Sequence, residues 1–229
     1  ESDRMGHFLG AVSQEVRDVQ RGVVQNEKRQ GENQPYGQVF QRLLKASYPE
    51  GHPYSWPVIG SMSDLNAASL DDVRNFFKSW YGPNNAVLVL AGDIDVETAK
   101  EKVTRFFGDI PAGPTLAQPK VDPAPRTEST RDEFTDRVPQ ARIYRAWNIA
   151  EYGNVDVDRL QLLSQVLGGS RASRLDKRLV HGEKIADRVS ASAWGNQLGG
   201  LFFITADVKA GVDPDVVEKA LDEEVRRLI

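Results

Sequence analysis

The sequence contains no cysteine and only three histidines in 229 residues. The absence of cysteine excludes disulfides, thiolate metal sites and cysteine nucleophiles, and it leaves the cellular compartment open. No apolar run approaches the ~20 residues of a membrane-spanning helix, and no signal peptide is visible. Basic residues are dispersed among acidic ones, 29 against 33, and the net charge is −4. We therefore expect no general attraction to nucleic acid or to an anionic membrane.

The apolar fraction is 40%, enough to bury a sizeable core in one large domain or two modest ones. The first residues, ESDRMG, and the last, EEVRRLI, both have helical character. We therefore expect the chain to be a fragment of a longer protein, whose targeting segment could lie outside it.

Residues 13–30 predict an amphipathic helix with Ser13 as its N-cap. At ~100° per residue its apolar arc is formed by Val16, Val19, Val23 and Val24. Glu27 falls near the middle of this arc, and Gln20 also lies on it. A charge turned toward a core is costly unless it is paired or binds a metal. The pattern leaves two interpretations open: a carboxylate in a fraying last turn that reaches water, or a ligand or catalytic group on a rigid helix.

The order of predicted elements indicates an α+β protein. Three helices come first, followed by a buried strand over the apolar run AVLVLA at residues 86–91 and a helix over 96–107. Residues 108–126 contain five prolines and predict a linker and a domain boundary. The remainder predicts strand, strand, helix, helix, strand, strand, helix. Its first strand is expected at 127–135 and its second helix at 170–180.

No complete catalytic or metal-binding motif is present by spacing. HExxH and HxxEH are absent, and His7, His52 and His181 are far apart. His52 lies in a loop and alone is a poor argument for a metal site. The segment GGSR at 168–171 follows a helix and lacks the ending of a phosphate loop, which favours a helix stop with Ser170 capping the next helix.

Several segments resemble the pitrilysin/insulinase family of zinc metallopeptidases, most closely its bacterial processing-protease-like branch, kin to the mitochondrial processing peptidase. They are ESDRMG, RGVVQNEKRQ, PYG at 35–37, GHPYSWPVIGSMSDL, FFKSWYGPNNAVLVLAGDID and LGGSRASRL. The resemblance implies two related α+β domains of the mitochondrial processing peptidase type. Residues 1–113 would be the C-terminal part of the catalytic-type domain, 114–126 a proline-rich linker, and 127–229 the N-terminal part of a second, non-catalytic-type domain.

The resemblance also implies a zinc site. In the family an HxxEH motif supplies two histidine ligands and a general-base glutamate, and a helix of the form R-x-V-V/I-x-x-E supplies the last ligand, which corresponds to Glu27. Many relatives carry another glutamate where this chain has Gln20, which can form a hydrogen bond near the site but cannot act as a base. The HxxEH segment would lie upstream of Glu1, so no catalytic residue is expected here. Because zinc sites use three or four protein ligands, we expect this chain alone to bind no zinc tightly and to cleave nothing.

The implied function is that of a zinc-dependent endopeptidase in which metal-activated water hydrolyses peptide bonds. Its partners would be a peptide or small protein substrate, the missing N-terminal segment, and a C-terminal half or partner subunit. Three alternatives stay open: a non-catalytic partner of a two-subunit protease, a core subunit of a respiratory complex, and a peptide-binding module without chemistry. Bacterial relatives are often exported, which suggests a periplasmic location.

Overall fold

The computed structural model describes residues 1–117, 119, 121 and 126–228. The chain divides into two compact units. The first contains Glu1–Gln30 and Ile59–Lys120, and the second contains Gly31–Val58 and Val121–Ile229. Residues 118, 120 and 122–125 of the predicted linker lie outside the described residues, and the domain boundary at 114–126 stays a prediction.

The described part of the first unit is helical. Its helices are α1 (Ser2–Ala11), α2 (Gln14–Glu32, which ends just inside the second unit), α4 (Met62–Ala67), α5 (Leu70–Trp80) and α6 (Val96–Phe107), with a short 3-10 turn at Pro83–Asn85. Ser69 and Asp72 form a capping box at the start of α5, and Asp95 caps α6 by accepting from the Thr98 N–H at 2.9 Å. Each cap satisfies backbone donors that the first helical turn leaves free.

The apolar run at residues 86–91 is not a strand, and the expectation of a buried strand there is wrong. Its side chains are exposed, Val87 to 91%. A strand needs a hydrogen-bonding neighbour, and no strand of the described residues pairs with this run. Phe76 and Trp80 of α5 are exposed as well. Among the described residues, Val12 is the only apolar side chain of the first unit that is buried.

The second unit is built on a three-stranded antiparallel sheet. Its strands are β1 (Arg142–Ile149), β2 (Ala186–Asn196) and β3 (Gly199–Val208), in the order β1-β3-β2. Its helices are α3 (Val39–Ser47), α7 (Val155–Gly168), a π-helix (Asp176–Gly182) and α8 (Pro214–Arg226). The β2–β3 hairpin closes at the Asn196–Gly199 pair, and Asp213 caps α8 with proline in its first turn, as the sequence predicts.

Three local expectations for this unit are wrong. Residues 127–135 form no strand. The helix expected over 170–180 is a turn followed by helical residues that become the π-helix. Ser170 Oγ accepts from the Ala172 N–H at 3.2 Å within that turn, so it stabilises the turn and does not cap a long helix.

Pro35 lies before α3, in a turn where Tyr36 has a positive φ of 63°.

The core of the second unit occupies both faces of the sheet, because alternate residues of β3 point to opposite sides. On one side, sheet residues pack against α7, the π-helix and α8; this cluster includes Phe202, Ile204, Ala206, Leu167, Leu179 and Leu221. On the other side, Leu201 and Phe203 pack with Leu44 of α3 and with Tyr48. The end of α7 approaches β2 closely, since a Cβ on Gly168 would lie 2.5 Å from the backbone nitrogen of Ala191. The predicted α+β fold is confirmed.

No helix among the described residues combines the length and the apolar character needed to cross a membrane.

Helix α7 offers a matched pair of substitutions that tests where the core lies. Leu167 is 2% exposed and Leu162 is 72% exposed. We expect Leu167→Ala to lower the free energy of unfolding by about 2–5 kcal/mol, because it removes buried methyl groups and leaves a cavity. Leu162→Ala should change it by less than about 0.5 kcal/mol. Urea denaturation followed by circular dichroism measures both, and equal effects would contradict the assigned core.

Candidate functional site

The candidate site lies on α2, the helix that carries Glu27 and Gln20. The helix begins after Ser13, whose Oγ accepts from the Val16 N–H at 3.2 Å. The predicted N-cap is therefore confirmed, and the helix continues to Glu32, two residues beyond the predicted end.

The polar side of α2 faces the rest of the first unit. Arg17 Nη1 donates to the carbonyl oxygen of Ala68, the C-cap of α4, at 2.9 Å, and Arg21 donates to the same oxygen. Asp18 lies 3.2 Å from Arg17 and 3.4 Å from Arg21. Two guanidinium groups at a helix C-terminus complement the partial negative charge of its last carbonyls. This contact, together with the hydrogen bond of 2.7 Å from Gln25 to Asn66, fixes which side of α2 is covered.

Most of the apolar side of α2 is open to solvent, and Val24 at its edge is partly buried. Val16, Val19 and Val23 are all about half exposed, Val19 to 60%. Glu27 and Gln20 are exposed on the same side. Among the described residues, this arc therefore does not turn Glu27 toward a core, and the carboxylate reaches water. The physical reason is that the paired arginines anchor the opposite face.

The spacing of the two arginines is a sequence signal for these contacts, and amino-acid composition alone does not reveal it. Arg17 and Arg21 are four residues apart, so they lie one above the other on the same helical face. Long basic side chains are usually exposed, so the local pattern favours the solvent side for them. Their partner, a backbone carbonyl of Ala68, belongs to a segment 47 residues further along the chain and leaves no mark in the local pattern.

Glu27 stands apart from other groups that could bind a metal. The described residues contain no group of three or more His, Cys, Asp or Glu side chains able to hold a metal ion. The three histidines lie elsewhere: His7 is exposed on α1, His52 is buried in a loop, and His181 Nε2 lies 3.0 Å from Asp176. Because zinc requires three or four protein ligands, the described residues do not by themselves form a zinc site.

The fold is that of solved peptidases. The structure of a protease from Helicobacter pylori superposes with a TM-score of 0.82 at 23% identity, over 95% of this chain and 53% of that one. The chain thus has the fold of about half of such a protein. At this identity the likeness concerns the fold alone.

The sequence comparisons identify the family. The family model described as the peptidase M16 inactive domain matches residues 67–229, more than half of the chain. The chain therefore belongs to the peptidase M16 family, and the resemblance to pitrilysin-type zinc metallopeptidases is confirmed.

Curated relatives extend the match to the α2 segment. Zinc protease PqqE of Helicobacter pylori is 28% identical over 218 residues, which cover 92% of this chain and 47% of the relative. A probable mitochondrial-processing peptidase subunit beta of Arabidopsis thaliana is 25% identical over 220 residues, 91% of this chain and 41% of that one. The chain spans about half the length of the curated relatives it matches. The alignment with PqqE leaves 8% of the 229 residues, about 18, outside it. Glu27 lies more than 18 residues from either end of the chain, so this alignment includes the segment around Glu27.

Two substitutions on α2 test which face stabilises the first unit. Arg21→Ala removes a charged donor to the Ala68 carbonyl and should lower the free energy of unfolding by about 1 kcal/mol. Glu27→Gln changes an exposed side chain and should alter it by less than about 0.5 kcal/mol. Thermal unfolding followed by far-ultraviolet circular dichroism measures both, and a larger loss for Glu27→Gln would mean that Glu27 has a structural partner.

Proposed function

We propose that this chain contributes Glu27 as one zinc ligand of an M16 endopeptidase whose two histidine ligands and general base lie in an HxxEH segment outside these 229 residues. The observation that carries the proposal is the reversed orientation of α2, with its polar side packed inward and its valines and Glu27 outward. The substrate would be a peptide or small protein, and the location the periplasm.

The exposed valines favour a covering partner. Apolar surface left in water costs about 25 cal/mol per Å², and contiguous exposed apolar patches mark interaction sites. Val16, Val19 and Val23 follow one another at spacings of three and four residues, so they form a continuous stripe. A second apolar surface, such as one on the segment that carries HxxEH, would bury this stripe.

Covering the stripe would also take Glu27 out of water, because Glu27 lies four residues beyond Val23 on the same side. A buried carboxylate is strongly unfavourable without a cation. A zinc ion held by two neutral histidines would provide the compensating charge, whereas an apolar partner without a cation would not. Gln20, seven residues before Glu27, is neutral and would be covered at a smaller cost, with its amide free to form a hydrogen bond nearby.

A second candidate function is that of a non-catalytic subunit. The family model that matches residues 67–229 is described as an inactive domain, and α2 lies outside the matched range. In that case the stripe on α2 would bind a partner subunit, and Glu27 would hold no metal. Zinc content of the whole protein separates the two candidates.

The decisive experiment uses the whole gene product, purified as wild type and as Glu27→Gln. We expect Glu27→Gln to lower bound zinc and peptidase kcat/KM by at least about 100-fold, because loss of a ligand exceeds the 10–100-fold effect of residues that merely support ligands. Glu15→Gln, on the same helix, is the matched control and should change neither. Retention of zinc and activity by Glu27→Gln would overturn the ligand role. A wild-type protein without zinc and without peptidase activity would instead support the non-catalytic function.

A separate prediction concerns the 229-residue chain alone. With one carboxylate available, isothermal calorimetry should detect no stoichiometric zinc binding at sub-micromolar affinity. Tight binding at one zinc per chain would show that a complete ligand set exists within the chain. Glu27→Gln in the same titration would reveal whether that set includes Glu27.

A further inference from the structure

We propose that His52 and Tyr54 form an acid-sensitive linkage that holds the loop at residues 48–58 on the β2–β3 hairpin. This linkage lies wholly in the second unit and is independent of the proposed zinc site. It consists of two hydrogen bonds in series: the backbone N–H of Tyr54 donates to His52, and the backbone N–H of Leu198 donates to Tyr54.

The first bond joins the imidazole to the backbone of its own loop. The backbone N–H of Tyr54 donates to His52 Nδ1 at 3.0 Å. The second bond joins the loop to the sheet, because the N–H of Leu198 donates to Tyr54 Oη at 3.2 Å. Leu198 lies in the turn between β2 and β3. His52 thus holds the backbone at Tyr54, and the Tyr54 side chain in turn satisfies a backbone donor of the hairpin.

The surroundings hold the imidazole in one position. His52 is 3% exposed, and its ring is stacked on Tyr48 with 4.6 Å between the ring centroids. Its backbone is fixed on both sides: His52 N–H donates to the Pro49 carbonyl at 3.1 Å, and Ser55 N–H donates to the His52 carbonyl at 2.9 Å. These contacts place Nδ1 of the ring toward the Tyr54 N–H.

This geometry requires a neutral imidazole. Since Nδ1 accepts a hydrogen bond, the ring proton is on Nε2. A second proton, on Nδ1, would face the Tyr54 N–H donor directly, so protonation and this hydrogen bond exclude each other. Burial also lowers the pKa of His52 below its usual value, because a charged imidazole is less stable away from water.

Neighbouring groups among the described residues offer no negative charge to a protonated imidazole. The titratable groups that contact it are the phenols of Tyr48 and Tyr54, and burial raises the pKa of Tyr48 to about 12, so its phenol is neutral. The sheet contributes Leu201 and Phe203 to this cluster. Among the described residues, no carboxylate forms an ion pair with His52.

The direction of the pH effect is set by the difference between the His52 pKa in the attached loop and in the released loop. Above pH ~6.5 the histidine is neutral whether the loop is attached or released, and the linkage is at full strength. As the pH falls below ~6.5, the released form gains a proton that the attached form resists, so release becomes more favourable until the pH reaches the lowered pKa of the attached form. For a released pKa of ~6.5, the equilibrium constant for release rises by up to about 30-fold at about pH 5.

The test is amide hydrogen exchange of Leu198 in the 229-residue chain, followed by NMR at about pH 7.5 and about pH 5 and expressed as protection factors, which remove the intrinsic pH dependence. We expect the protection of Leu198 to fall by up to about 30-fold in acid, while that of Ile204 in the core of β3 does not fall with it. His52→Asn offers an amide oxygen close to the position of Nδ1 that does not titrate, so Leu198 should keep its protection at both pH values.

Tyr54→Phe provides the second variant, because it removes only the acceptor for Leu198. It should lower Leu198 protection at both pH values and abolish the pH dependence. The proposal is wrong if Leu198 protection in the wild type does not fall in acid, if Ile204 falls equally, or if His52→Asn shows the wild-type pH dependence.

Discussion

Burial of apolar surface is the constraint on which the rest of this structure depends, and the two units meet it differently. In the second unit, β3 alternates its side chains between two layers, so Phe202 and Phe203 are covered on opposite faces of one sheet. In the described part of the first unit, Val12 is the only buried apolar side chain. That unit is organised by polar contacts, such as the arginines on the Ala68 carbonyl and the capping box of α5. Individual contacts of this kind contribute about 1 kcal/mol each.

The orientation of α2 links this constraint to function. A helix of a soluble protein normally buries its apolar side, but here the guanidinium groups of Arg17 and Arg21 bind the end of α4 and leave the valines outside. An exposed glutamate surrounded by polar side chains would need no explanation. Glu27 instead continues a stripe of valines. Any surface that covers the stripe also removes the carboxylate from water, and must therefore supply a cation or a hydrogen-bond donor to it. Exposure of Glu27 in this chain is therefore compatible with a ligand role that begins only when the stripe is covered.

Local signals in the sequence predicted local structure well. The bounds of α6 and the N-cap at Ser13 are both read from neighbouring residues. Features that depend on distant partners were missed. AVLVLA has the composition of a buried strand, yet a strand exists only with a paired neighbour, and the buried side of α2 is decided by Ala68. The family was recognised correctly because motif identity does not depend on knowing which face is covered. The surroundings of Glu27 did depend on it, and the sequence left two interpretations of that residue open.

The motifs that identify the family differ in what they contribute to this chain. In GHPYSWP, Gly51 has a positive φ of 85° that favours glycine, His52 accepts from the backbone of Tyr54, and Tyr54 accepts from the β2–β3 hairpin. In LGGSRASRL, Gly168 allows α7 to approach β2, where any side chain would collide with Ala191. Both segments have a sufficient structural reason and therefore support the fold without bearing on chemistry. The segment RGVVQNEKRQ is different, because the described contacts do not explain a carboxylate at the end of an exposed apolar stripe. The case for peptidase chemistry in this half of the protein therefore depends on α2, and the other motifs do not add to it.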